Sequence, residues 1–346
     1  REFALFERMR AQLAGIASHD GMAEVFVLKG SDVYAVEHIE ALPGEGLPPA
    51  PARADLLGAV RLCSQRLARC TGLDELLQAL LAGLHEDLAV RHAMVLMLDA
   101  QAGQLYTVAS FGYAHSGVGS EIRLGQGVIG MAAREATPVR ISHMTHAALY
   151  SHALRSSLGD SGGAPAHDIP YPGLAAPHSQ LAVPLVSRGR TLGVLFVESP
   201  LDLQFGYPEE DALVALAGQL AAAIDLLQTP DEADEAPHTD PATAAPLGPA
   251  VRVRYFAANA SVFVNDAYLI KGVAGAILRK LLREHGRSGR CEFSNRELRL
   301  DPALRLPEVA DNLEARLLLL QRRLQESATG IHIDKAHIAH AYCHFV

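Results

Sequence analysis

Apolar positions along the chain change period several times, and each change predicts an element. "FALFERMRAQLAGIA" repeats on a helical period, and "AEVFVLKGSDVYAVEHI" then alternates around a "KGSD" turn, which predicts a helix and a β-hairpin. In "ADLLGAVRLCSQRLARC", Leu56, Val60, Cys63, Leu67 and Cys70 recur at alternating spacings of four and three, an a/d stripe about two heptads long. A second helical pattern, "LDELLQALLAGLHEDLAV", leads into two strands in "HAMVLMLDAQAGQLYTVASFG", joined around Asp99–Gly103. "IRLGQGVIGMAAREATPVRISHM" reads as strand, Gly-rich turn, short helix, strand, and "SQLAVPLVSRGRTLGVLFVESP" as two strands about an "SRGR" turn. "PEEDALVALAGQLAAAIDLLQ" predicts a closing helix with Pro208 and acidic residues in its first turn.

Two stretches interrupt these periods. Ala41–Asp55 is rich in Pro and Gly, and Gln228–Ala250 is Pro/Ala/acidic, so both read as linkers. The expected organisation is an N-terminal helix and hairpin at 1–40, a linker at 41–55, a central domain at 56–228, a disordered linker at 229–250 and a C-terminal domain at 251–346. Apolar residues make up 49% of the 346, enough for more than one core, while Trp is absent and aromatics are 5%, so Ala, Leu and Val fill those cores. The net charge of −9 is unevenly spread: residues 251–346 hold 15 Lys+Arg against 10 Asp+Glu, a net of +5. A basic C-terminal domain on an acidic body predicts a separate task for it at an anionic partner. No apolar run has the length of a membrane span. Four cysteines without a Cys-x-x-Cys pair do not make a disulfide framework, so the expectation is a reduced, cytoplasmic protein without membrane contact. The first residue is not Met and no signal peptide is legible, so the start reads as truncated or processed.

The C-terminal pattern runs hairpin, helix, helix, helix, hairpin. "VRVRYFAANASVFVNDAYLI" alternates about an Asn/Asp turn, and "GVAGAILRKLLREHG" predicts a helix ended by Gly286. Ser294 with Glu297 forms a capping box, "LPEVADNLEARLLLLQRRLQE" a long helix, and "GIHIDKAHIAHAYCHFV" the final hairpin.

The phrases "GQGVIGMAAREATPVRI", "SQLAVPLVSRGRTLGVLFVESP" and "ALAGQLAAAID", in this order over Leu73–Gln228, resemble a GAF domain. The resemblance implies an antiparallel sheet flanked by helices, a small-molecule pocket on one face, and dimers joined through flanking helices. The stripe Leu56, Val60, Cys63 and Leu67 then becomes a candidate homodimer interface, although it also fits a helix packed on its own domain. The C-terminal order, with "NLEARLLLLQRRL" at the recognition-helix position, resembles the winged helix-turn-helix domain of OmpR-like regulators. The fold class expected is therefore α+β: a GAF-type sheet plus a C-terminal winged helix.

Candidate site residues follow from these resemblances. The segment "PVRISHMTHAALYSHALR" falls where a GAF domain lids its pocket, so His143, His146, Tyr150 and His152, with His178 and Gln180, are the candidate ligand contacts. His143 and His146 are three apart, but His152 lies about 240° further round a helix, so the three do not converge from one straight helix. An organic or anionic effector, a metal or haem, and plain solvated polar residues all stay open. No cofactor is expected first, with metal or haem as the alternative. In the winged helix, Asn312, Arg316, Arg322, Arg323 and Lys335 are candidate DNA contacts. Leu318 and Leu319 depart from the family's basic face and suit a protein interface instead. Some GAF-like domains reduce methionine sulfoxide with pocket cysteines, but no cysteine lies between Cys70 and Cys291, and "GQGVIG" lacks a phosphate-binding lysine. The sequence expectation is a signalling protein without enzymatic activity, a transcriptional regulator that senses a small molecule and binds DNA. The alternative is a scaffold docking a protein partner through its C-terminal domain.

Overall fold

The structure is a computed structural model that describes residues 22–23, 26–29, 32–35, 39–40, 56–143, 169–228, 251–302, 304, 313–327, 330–336 and 340–345. The expected first helix and both linkers lie outside these residues. The chain divides into two units, Arg1–Asp55 and Leu56–Val346. In the first, β1 (Met22–Ala23) pairs with β4 (Ile39–Glu40), and β2 (Phe26–Lys29) pairs with β3 (Asp32–Ala35) around the "KGSD" turn, with Lys29 opposite Asp32.

The second unit begins with α1 (Leu56–Leu67) and α2 (Leu73–Glu86). Next come β5 (His92–Asp99), β6 (Gln104–Phe111), β7 (Glu121–Arg123), α3 (Gly127–Glu135) and β8 (Val139–Ile141). β9 (Ser179–Ser187), β10 (Arg190–Ser199) and α4 (Tyr207–Gln228) complete this part. The six strands form one antiparallel sheet in the order β7-β6-β5-β10-β9-β8. Its alternation separates two apolar layers. Val95, Met97, Tyr106, Val108, Val183, Leu195 and Val197 face α1, α2 and α4, where Leu77, Leu80, Leu216 and Leu220 are fully buried. Met94, Leu96, Ala182, Val194 and Phe196 face the other way, under Ile129, Ala132 and Ala133 of α3. Each fully buried Leu or Phe stabilises the fold by roughly 1.5–3 kcal/mol.

The a/d stripe of α1 lies inside this architecture. Cys63 is 0% and Leu67 3% exposed, Val60 packs on the same cluster, and Gln219 of α4 donates to Ser64 O at 3.2 Å. Leu56 is half-buried. The expected dimer stripe is thus used against the protein's own helices, because two heptads suffice to fill the groove beside α2 and α4.

The C-terminal part consists of β11 (Val253–Phe256), β12 (Ser261–Val264), β13 (Ala267–Ile270), α5 (Gly272–Ser288), β14 (Glu292–Ser294), α6 (Asn295–Leu300), α7 (Leu313–Glu326), β15 (Ile331–Ala336) and β16 (His340–Phe345). The first pattern makes three strands rather than a hairpin, in the order β11-β12-β13. Asn265 and Asp266, at φ 48° and 70°, supply the left-handed turn between β12 and β13. α5 runs past Gly286, because the residue that adopts the left-handed cap is Gly289, at φ 68°. Ser294 caps α6 by accepting from Glu297 N–H at 3.1 Å. The last strands form a sheet in the order β14-β16-β15.

This part shares the core of the sheet domain. Leu313, Leu317, Leu318, Leu319 and Leu320 of α7 belong to the same buried cluster as α2 and β6. α7 therefore extends the helical layer over the β6 end of the sheet. No helix among the described residues is long and apolar enough to cross a membrane.

Candidate functional site

Strand register builds a polar row across the α3 face of the sheet. Glu198 of β10 lies opposite His92 of β5 on one side and Gln180 of β9 on the other, and Gln180 lies opposite Ile141. Alternation puts Glu198 on the face of Phe196 and Val194, so its carboxylate enters an apolar layer and is 1% exposed. Such a group needs donors. Leu174 N–H donates to Glu198 Oε1 at 2.8 Å, and Gln180 Nε2 donates to Oε2 at 3.1 Å.

Two tyrosines close over the carboxylate from separate loops. The Tyr113 hydroxyl is buried beside Glu198 without a hydrogen bond of sound geometry. Its ring centroid is 5.5 Å from that of His92, whose Nδ1 is also buried without a partner. Tyr171 presents its hydroxyl to the same charge. Burial raises the Glu198 carboxyl above the ordinary carboxylate range, while the Leu174 and Gln180 donors pull it back. Burial and the Glu198 charge raise both tyrosines well above the usual phenol range. Burial lowers His92, so its neutral imidazole is favoured. An apolar layer with a few convergent polar groups is the composition of a small-molecule site.

Beside this row lies a histidine clasp. His143 Nδ1, at the end of β8, is 2.8 Å from Asp202 Oδ1, and His178 Nδ1, at the start of β9, is 3.2 Å from the same oxygen. Of the sequence-predicted ligand contacts, His143 and His178 are therefore brought together, and Gln180 joins Glu198. His146, Tyr150 and His152 lie outside the described residues. Sequence reasoning missed Glu198, Tyr113, Tyr171, His92 and Asp202. The signal for Glu198 was present, since an acid in "VLFVES" that shares its strand face with Phe196 must point inward. Among the described residues no group of three or more His, Cys, Asp or Glu is placed to hold a metal ion.

Arg316 and Arg322, expected at DNA, bond to the sheet domain instead. Arg316 is 5% exposed, pairs with Asp99 Oδ2 at 2.6 Å and stacks 4.1 Å over the Tyr106 ring. Arg322 pairs with Asp74 at 2.6 Å and donates to Val108 O. Arg323 donates to Leu269 O at 3.1 Å and pairs with Glu326. Leu318 and Leu319 are 7% and 4% exposed. Lys271 pairs with Glu121 at 2.9 Å and Ser116 Oγ donates to Glu326 Oε1 at 2.5 Å, adding two further links between the parts. The face of α7 expected to be outward is covered, because its charges find carboxylates on the acidic body of the same chain. Asn312 lies outside the described residues, as does the side chain of Lys335 in β15.

Comparison with known proteins gives a family for the sheet domain. The GAF domain of an Acinetobacter phosphoenolpyruvate-protein phosphotransferase is similar at 21% identity, covering 52% of this chain and 99% of that one, with a TM-score of 0.40. Free methionine-R-sulfoxide reductase from Neisseria meningitidis, in complex with its substrate, is similar at 22% identity over 54% of this chain and 95% of that one, TM-score 0.39. The corresponding reductase of Staphylococcus aureus, also with substrate, is similar at 15% identity over 52% and 99%, TM-score 0.38. The sequence expectation of a chain without enzymatic activity does not stand, because these two similar structures are of reductases; the likeness assigns no activity to this chain. No curated protein matches the chain. The family model that matches is "GAF domain", over residues 72–224, and this segment, with its antiparallel sheet between helices, is similar to that family.

Proposed function

We propose that the chain is a ligand-responsive signalling protein in which a small molecule bound at the Glu198 row controls the C-terminal part. The single observation that carries this reading is Glu198 itself. A carboxylate at 1% exposure, with a backbone N–H, one amide and the Tyr113 hydroxyl around it, costs folding energy. The ligand class it favours is a small cationic or donor-rich organic molecule, with the His143–Asp202–His178 clasp at the side of the site.

The C-terminal part is read as a winged-helix output module. Its support is the element order and the net charge of +5, and the transcriptional form of this reading has Arg316, Arg322 and Arg323 meeting phosphates once α7 is released. Association into dimers and a cytoplasmic location, in keeping with the free thiols of Cys63, Cys70 and Cys291, belong to the same proposal.

The test is a thermal-shift screen of amines, amino acids and nucleobases on the full chain, repeated with Glu198→Gln and Gln180→Ala. The expected result is a compound that raises the melting temperature of the unaltered protein and loses that effect in both variants. A compound whose effect survives both substitutions, or a full screen with no shift, would overturn the assignment of the Glu198 row as the sensing site.

A further inference from the structure

Two loops border the Glu198 row and touch each other, and the first also bonds to α7. The first is 112–119, between β6 and β7. Tyr113 lies beside Glu198 at one end of it, and three residues later Ser116 donates to Glu326 of α7 at 2.5 Å. The loop is internally tied, with Ser110 Oγ donating to Ser116 O at 2.5 Å and Val118 N–H donating to Ser116 Oγ at 3.3 Å. The second loop is 169–174. Its Tyr171 and Leu174 N–H face Glu198, and its Pro172 presses on Gly117.

The contact between the loops is close. A Cβ on Gly117, which sits at φ 57°, would come within 2.3 Å of Pro172 Cδ. A Cβ on Gly119 would come within 2.7 Å of Ile169 Cδ1, 3.5 Å of Arg323 Cδ and 3.6 Å of Leu319 Cδ1. Gly117–Pro172 and Gly119–Ile169 thus join the two loops, and Gly119 also sits against Arg323 and Leu319 of the docked helix. An open cleft of about 590 Å³ lies between Ala114–Gly117, Ile169–Pro170 and Arg323, Glu326 and Tyr268.

We propose that 112–119 and 169–174 form a coupling strap that makes the docking of α7 depend on the state of the Glu198 row. The inference rests on the reading of that row as the sensing site, and it supplies what that reading lacks, a physical route to the C-terminal part. The bistable element is α7, docked on Asp74 and Asp99 or released from them. A ligand that reorders Tyr113 and Tyr171 shifts this balance. The device also explains why Glu198 is set at the sheet end nearest these loops rather than in the middle of β10.

Hydrogen exchange on the full chain, without any ligand, tests the strap. Glu198→Ala removes the acceptor of Leu174 N–H, and Gly117→Ala drives a methyl into Pro172. In both, the α7 amides are expected to exchange about five- to tenfold faster, the low end of ordinary coupling between sites. Amides of α4, packed on the helical layer away from the strap, keep their rate. Ser116→Ala, which cuts the hydrogen bond to Glu326 and the one from Val118 N–H, is the gentle variant and is expected to speed exchange in 112–119 and in the last turn of α7 alone. Unchanged α7 exchange with faster exchange in 112–119 and 169–174 overturns the coupling. Equal loosening of α4 and α7 in all three variants overturns it too, as general destabilisation. Because no ligand enters, failure here leaves the sensing assignment standing, and failure of the ligand screen leaves the strap standing.

Discussion

Asp99→Ala is the sharpest perturbation of the docked helix. Arg316 is 5% exposed and its guanidinium nitrogen lies 2.6 Å from Asp99 Oδ2, whose side chain is 14% exposed. At 2.6 Å and an effective dielectric of about 20, the gross attraction is about 6 kcal/mol, and desolvation of both ions offsets much of it. Removing the carboxylate takes one close ion-pair partner from a buried cation, which costs up to about 3–5 kcal/mol. The lower end is expected, because the face of Tyr106 still lies 4.1 Å below the guanidinium and holds part of the charge by cation–π attraction. The outer pair behaves differently. Asp74 is 48% exposed, so Asp74→Ala is expected to cost about 0.2–1 kcal/mol. The double variant Arg316→Met/Asp99→Leu replaces the pair with apolar volume and is expected to recover most of the loss. Urea denaturation of the full chain, followed by circular dichroism, measures all four proteins. A loss below about 1 kcal/mol for Asp99→Ala, in the range of a surface pair, would refute the claim that Arg316 anchors α7 in a low-dielectric contact.

Three further outcomes follow from the site and the caps. The folded Glu198 carboxyl titrates above its unfolded value of 4.5, so the folded state binds the extra proton between the two values, and stability falls as pH rises through that window. Melting temperatures of the protein and of Glu198→Gln should therefore diverge in favour of the variant as pH rises above 4.5, and parallel curves would contradict the burial argument. Tyr113→Phe removes a buried hydroxyl without a sound hydrogen bond and is expected to leave stability unchanged or raise it by about 1 kcal/mol, read by the same denaturation. Ser294→Ala removes the cap of α6 and is expected to cost about 1 kcal/mol, with the loss visible as faster exchange at Glu297 N–H.

The sheet domain was legible because its strands carry period-2 patterns bounded by turn residues, as in "SQLAVPLVSRGRTLGVLFVESP", and each such strand pairs with a sequence neighbour or near neighbour. Gln180, His143 and His178 were singled out by the GAF resemblance, and the structure sets Gln180 on Glu198 and both histidines on Asp202. Glu198 was passed over because it ends an apolar run and reads as a strand terminus, although its face is fixed by Phe196 two residues earlier. The fate of α7 was not legible. Leu318 and Leu319 were read as an outward face suited to a protein interface, and nothing local says that the same chain covers them. Arg316 looked like a solvent-facing cation because its partner, Asp99, is 217 residues away. Pairing over that distance depends on the tertiary fold, which a periodic pattern does not contain.

The central claim is that the state of the Glu198 row sets the docking of α7. Its most direct measurement is hydrogen exchange of the α7 amides in the full chain, with and without the first compound that shifts the melting temperature. The account predicts that the compound changes α7 exchange severalfold while α4 stays constant, and that Gly117→Ala, already loosened, responds less. A compound that binds, protects 112–119 and 169–174, and leaves α7 exchange unchanged would contradict it.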